Sequence, residues 1–274
     1  MRIRLLAIFF LLLVPLAPQF GCSTTKGAAG KANRAAADTL IPPAKEEKLG
    51  EKFSAQVESE LTLLKDQQVQ DYVSKLGQAA VKAAGNDAHS AIDFEFHVVD
   101  DPNTVNAFAG PGGQIYFYTG LLKKADNTAE VMGVMAHEVA HVTERHIAER
   151  LVVMYGVQAL ANAALGENPA LVAKLGTTVA AKGFLLKYSR DHETEADRVG
   201  FHYIARTKYN PEGMSTFFQK LSGGKGARMP EILSSHPSPE NRVQFLSDLR
   251  RTYQGSTGSH LGEKNHQQIV SRLK

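Results

Sequence analysis

The sequence predicts an α+β domain, mainly helical, with a small β-sheet ahead of a helix that carries His137-Glu138-Val139-Ala140-His141. Three observations predict it. Apolar residues recur at helical spacing over Lys45 to Ala84 and again after Asn127. Ile92, Phe94, Phe96 and Val98 alternate along one short run. Pro111-Gly112-Gly113 separates two further short runs. A period near 3.6 puts apolar side chains on one helix face, whereas alternation marks a strand with one face buried. At 274 residues, with 43% hydrophobic and 22% charged side chains, the chain can bury a single large core.

Met1 to Cys22 reads as an export leader, because Arg2 and Arg4 precede the apolar stretch Leu5 to Leu16. That stretch is shorter than the roughly 20 apolar residues of a membrane-spanning helix. Cys22 is the only cysteine, so no internal disulfide forms. A cysteine just after an apolar leader resembles the lipid acceptor of bacterial lipoproteins, although Gln19 and Phe20 depart from the usual pattern and only Gly21 fits it. Residues 23–44, rich in Ala, Gly, Thr and Lys and ending in Pro42-Pro43, read as a flexible tether. The expected organisation is a leader over 1–22, the tether over 23–44, a folded domain over 45–253, and a polar, unassigned tail over 254–274. Of 31 basic side chains two lie in the leader, leaving 29 against 28 acidic ones, a balance that gives no case for a nucleic-acid partner.

Within 45–84 the apolar spacing predicts two helices separated near Asp66. Ile92 to Val99 follows as a strand, and Thr104 to Ala109 with Gln114 to Thr119 as a strand pair around the Pro-Gly-Gly turn. Asn127 with Glu130 has the pattern of a helix-capping pair, and the helix it opens is expected to reach about Arg150. Leu151 to Lys187 is rich in helix formers, but Gly166-Glu167-Asn168-Pro169 divides it into pieces too short to cross a bilayer. Further helices are expected at Ser189 to Thr207, Pro211 to Leu221 and Pro239 to Tyr253, the last two opening on a proline suited to a first turn.

The chemistry concentrates on the central helix. Histidines four residues apart stack on one helix face, so the imidazoles of His137 and His141 can bind one Zn²⁺ while Glu138 reaches a coordinated water. Gly133, Ala136 and Ala140 on this helix leave room for a neighbouring backbone or a substrate. A catalytic zinc needs a third protein ligand and an open position. Glu193 is the candidate, with Glu195 its rival in the same charged run. Asp197, four residues after Glu193, can accept from the outer nitrogen of a ligating histidine and so fix its tautomer, or pair with Arg190 or Arg198 at the surface.

His137 to His141, Glu193 with Ala196 and Asp197, the run Asn106-Ala107-Phe108-Ala109-Gly110-Pro111-Gly112-Gly113, and His236-Pro237 with Arg242 together resemble peptidase family M48. That family of zinc metalloendopeptidases includes the CAAX prenyl endopeptidases, the membrane protease HtpX and soluble periplasmic members, and the chain resembles the soluble branch. The likeness spans about Lys45 to Arg250. It implies a zincin-like metallopeptidase domain with one zinc per chain, held by His137, His141 and Glu193. It further implies Glu138 as general base, Asp197 as support for a ligating histidine, and His236 and Arg242 facing the active site to stabilise the oxyanion. In some members the histidine also approaches the metal and blocks it. The strands around Asn106, Ala107, Phe108 and Ala109 resemble the edge along which such enzymes pair with extended substrates.

The implied activity is hydrolysis of peptide bonds in misfolded or unassembled cell-envelope proteins, with unfolded or extended polypeptides as substrates. The competing function is a periplasmic chaperone or assembly factor that uses zinc structurally and rarely cleaves. The expected location is the periplasm, with a lipid on Cys22 anchoring the chain to a membrane, the outer membrane ahead of the inner. His89, His97, His146, His202, His260 and His266 read as structural or solvated. Nothing in the sequence sets the oligomeric state.

Overall fold

The structure is a computed structural model that describes residues 23–156, 188–222, 231–237 and 241–273. The segment read as an export leader, with Cys22, and most of the Leu151 to Lys187 stretch lie outside the described residues.

The N-terminal segment departs from the tether expectation. Residues Ser23–Leu40 form helix α1, and Pro43–Glu60 form α2 after a short break. Ala37 and Ile41 are fully buried. The Ala-rich composition that suggested a tether is equally that of a good helix former, and small side chains let α1 lie close against its neighbours. The third helix, α3 (Gln67–Ala84), begins where the sequence placed a break: Asp66 accepts from the amides of Gln68 and Val69, which otherwise lack helical partners.

Strands β1 (Glu95–Val99), β2 (Ala107–Ala109) and β3 (Gln114–Tyr118) form one sheet in the order β1-β3-β2. The pairing is parallel between β1 and β3 and antiparallel between β2 and β3, with Phe108 opposite Tyr116. Across this register His97, Tyr116 and Phe108 stack ring on ring at 4.6 and 4.8 Å, the cross-strand packing that stabilises a small sheet. The outer edge of β1 is covered: Leu64 donates to Val98 O, and the Gln70 side chain bonds the Phe96 carbonyl and the Val98 amide. Strand β2 forms the opposite edge.

A short helix, α4 (Thr119–Lys124), leads to α5 (Thr128–Thr143), every residue of which is buried. Asn127 caps it through Glu130 N. The expected continuation to Arg150 is interrupted. Arg145 adopts a left-handed conformation, φ 62°, and a separate helix, α6 (His146–Tyr155), follows it. The buried Arg145 guanidinium lies 2.7 Å from Glu46 on α2 and bonds the Ile41 carbonyl, which ties this left-handed turn to the N-terminal helices.

Around α5 pack α7 (Arg190–Ala205) and α8 (Glu212–Ser222), followed by the short α9 (Ile232–Ser235) and by α10 (Arg242–Thr252). Close approach is set by small residues. A Cβ on Gly133 would lie 2.6 Å from Met214 Cα, and one on Gly200 would lie 3.0 Å from the Ala136 backbone. The room left by Gly133 and Ala136 is therefore filled by neighbouring helices.

The C-terminal tail is also part of the fold. Leu261 O accepts from Ala129 N at the start of α5, and α11 (Glu263–Val270) buries His266 and Ile269. The His266 ring lies 2.9 Å from the Tyr72 hydroxyl and 3.0 Å from the carbonyls of Leu122 and Ala125. Among the described residues no helix is long and apolar enough to cross a membrane.

Candidate active site and metal centre

His137 and His141 lie on α5, Glu193 and Asp197 on α7, and His236 and Arg242 at the end of α9 and the start of α10. All are buried. The two long helices meet where Gly200 has no side chain. One turn and two turns before Gly200, the same face of α7 presents Asp197 and Glu193 to the histidines.

His137, His141, Glu193 and His236 each offer one ligand atom, and these four atoms lie within 4.8 Å of one another. His141 Nε2 is 3.1 Å from His137 Nε2, and the Glu193 oxygens are 3.4 Å from both. His236 Nδ1 is 3.0 Å from Glu193 Oε1 and 3.3 Å from His137 Nε2. Two imidazole nitrogens and a carboxylate converging in this way are the donor chemistry of a zinc site. Neither oxygen of Glu138, nor His236 Nε2, nor Glu193 Oε2 has a hydrogen-bond partner, although all are buried. Buried polar atoms without partners are costly, so these residues fit a bound cation and the water it would carry.

The surroundings aim the histidines. His137 turns its outer nitrogen, Nδ1, to Asp197 Oδ1 at 2.9 Å. Arg242 bonds the same oxygen at 2.5 Å, approaches Glu193 at 3.5 Å and lies 3.4 Å above the Phe218 ring. Burial and the Arg242 charge oppose protonation of His137, but its bonds to Asp197 and Glu193 outweigh them and hold its pKa up to about 9. Burial would raise the Glu193 pKa, yet the neighbouring histidines, His236 first, hold it well below the ordinary carboxylate range. Burial pushes His141 well below its usual value.

Asp197 therefore pairs with Arg242 inside the protein. Glu195 is not in the donor group: it faces His146 and Arg34 instead. Arg242 sits behind the carboxylates, bonded to Asp197, whereas His236 enters the donor group itself. Strand β2 forms a sheet edge, but Asn106, Ala107, Phe108 and Ala109 are all buried, and both polar side-chain atoms of Asn106 lack partners.

Sequence reasoning missed His146. Its Nδ1 lies 2.9 Å from His141 Nδ1, and its Nε2 lies 3.2 Å from Glu195 Oε2. The only available signal was its place five residues beyond His141, off the helical repeat, and it comes into reach through the turn at Arg145.

The model of peptidase family M48 matches residues 65–250. The chain belongs to this family. Among curated proteins, the M48 chain is 30% identical over 225 residues to the β-barrel assembly-enhancing protease of Escherichia coli K12, covering 78% of this chain and 45% of that relative. It is 30% identical over 213 residues to the protein of the same name from Yersinia pestis, covering 74% and 42%. It is 34% identical over 186 residues to the mitochondrial metalloendopeptidase OMA1 of Arabidopsis thaliana, covering 67% and 38%. The chain spans less than half the length of these relatives.

Proposed function

We propose that this metallopeptidase domain is a zinc-dependent endopeptidase that cuts extended segments of misfolded or unassembled cell-envelope proteins. The observation that carries the reading is the buried donor group of His137, His141 and Glu193 with the unpartnered Glu138 carboxylate beside it. These three residues would hold one zinc per chain, which when bound would acidify a water and polarise the scissile carbonyl. Glu138 takes the proton of the attacking water and returns one to the leaving amine, a role its free oxygens suit. Asp197 holds His137 by Nδ1, leaving Nε2 for the metal. Arg242 offsets the buried charge of Asp197 and Glu193. His236 Nε2, 3.5 Å from Glu138 Oε1 and without a hydrogen bond, would serve as the donor to the developing oxyanion.

The edge strand β2 supports an extended polypeptide as the substrate. An extended chain would pair along the β2 edge through main-chain hydrogen bonds. The names of the bacterial relatives concern β-barrel assembly, which supports envelope polypeptides as clients. A lipid on Cys22 would hold the domain at the periplasmic face of a membrane, the outer one by preference.

His236 also favours a second reading. It brings a fourth protein donor into the group, as in a closed, structural zinc site or a latched enzyme, and a chaperone that seldom cuts would retain such closure. Metal analysis of the purified chain, with cleavage of an unfolded casein-like substrate measured with and without chelator, tests both. One zinc per chain and chelator-sensitive cleavage are expected, and Glu138→Gln should keep zinc while losing activity by about 10²- to 10⁴-fold. Zinc without cleavage in the wild type, with client binding retained, would favour the chaperone. His236→Ala should lower turnover if His236 stabilises the oxyanion, and a rise would identify a latch.

A further inference from the structure

Resting on the zinc reading above, we propose that His146 is a positioning residue for the metal ligand His141, and that Arg34 on the N-terminal helix completes the device through Glu195. The geometry fixes one arrangement of protons. His141 directs Nε2 into the donor group, so its single N–H as a neutral ligand must be on Nδ1. That atom faces His146 Nδ1 at 2.9 Å, and two facing ring nitrogens bond only if one donates and the other accepts. His141 donates, so His146 accepts at Nδ1 and carries its own proton on Nε2. That nitrogen meets Glu195 Oε2 at 3.2 Å, an acceptor placed to select the tautomer that His141 needs.

The same carboxylate oxygen is held by Arg34 Nη2 at 3.0 Å. Arg34 Nε bonds Glu149 Oε1 at 2.5 Å, and Glu149 in turn bonds His192, whose ring stacks on His146 at 4.4 Å. On its other side the His141 ring stacks on Tyr188 at 3.7 Å. Each ligating histidine thus has a carboxylate behind it. Asp197 serves His137 directly and is backed by Arg242; Glu195 serves His141 through His146 and is backed by Arg34. The second chain is longer by one imidazole because the turn at Arg145 places that ring between them.

The test is zinc affinity of the folded chain by competition with a chelator, so turnover is not the readout. His146→Leu should weaken zinc binding about 10- to 100-fold, the usual effect of removing a ligand's outer partner. His146→Asn, whose amide oxygen can accept from His141 Nδ1, should recover part of the loss, and Arg34→Leu should weaken binding by less than His146→Leu. His266→Ala, a buried histidine remote from the site, should leave affinity unchanged while lowering stability. Affinity within twofold of wild type in His146→Leu would overturn the proposal, as would an equal loss in His266→Ala. Should His146→Leu fail to fold, unchanged affinity in both His146→Asn and Arg34→Leu would overturn it instead. A wild-type chain that binds no zinc would overturn the metal reading, a separate failure.

Discussion

Arg242 and Asp197 show how a single residue can matter to the site without facing a substrate. Both are buried, at 2% and 0% exposure, and 2.5 Å apart. Removing one partner of such a pair leaves an uncompensated charge in the interior, which typically costs about 3–5 kcal/mol, far more than loss of a surface ion pair. Arg242→Leu should therefore destabilise the fold by that order in urea unfolding, and also weaken zinc binding because Asp197 and Glu193 lose their counter-charge. Loss of less than about 1 kcal/mol would place Arg242 outside the buried network. A direct oxyanion donor behaves differently, lowering turnover with little change in stability. Histidines at i and i+4 and a carboxylate pair at i and i+4 were legible in the sequence, because helix geometry alone brings them to one face. His146 was not, because its contact depends on the backbone conformation of Arg145, and no periodicity encodes that turn.

Helix α5 is the element on which the site depends, and its packing is set by absent side chains. At Gly133 an added methyl would meet the Cα and N of Met214 at 2.6 and 2.7 Å, and at Gly213 it would meet the Ala129 carbonyl. Alanine is favoured over glycine by about 1 kcal/mol inside a helix. Here the obstacle is backbone, which cannot rotate aside, so the overpacking penalty of about 1–3 kcal/mol should win. Gly133→Ala is accordingly expected to lower the melting temperature, and a higher melting temperature would show that α8 can move away. The sheet and the central helices were legible because alternation, capping residues and apolar period agree there. The flanking elements were not. Residues 23–40 and 263–270 are polar or small along most of their length, and their helices are held by a few buried contacts, Ala37, His266 and Ile269 among them. Composition alone reads such segments as linkers.

At the scale of the whole molecule, the Glu46–Arg145 pair joins three parts of the chain. Glu46 stands on α2, its partner stands in the turn between α5 and α6, and the Glu46 carbonyl lies beside Gly112 at the turn between β2 and β3. Burial pushes the Glu46 pKa up to about 7 from an ordinary value of 4.5, against the opposing pull of Arg145. The folded chain thus holds this proton more tightly than the unfolded chain. The resulting stabilisation is fully present below pH 4.5 and is lost as pH rises through about 7. Other groups act in the opposite sense: burial lowers the His146 pKa from 6.5 to about 4, across much of the same window, and at lower pH bonding to His146, assisted by Arg34, lowers that of Glu195 to about 2. Those contributions favour the fold as pH rises out of the acid range, so the Glu46 effect is best isolated as a difference between two proteins. Glu46→Gln keeps the shape and a hydrogen-bonding oxygen for Arg145 but cannot titrate. In urea unfolding between pH 4.5 and 7.5, wild type should lose stability relative to Glu46→Gln as pH rises, most steeply between the unfolded value of 4.5 and the folded value of about 7, and level off above it. Parallel stability curves across that window would mean that Glu46 stays ionised throughout, its charge fully offset by Arg145.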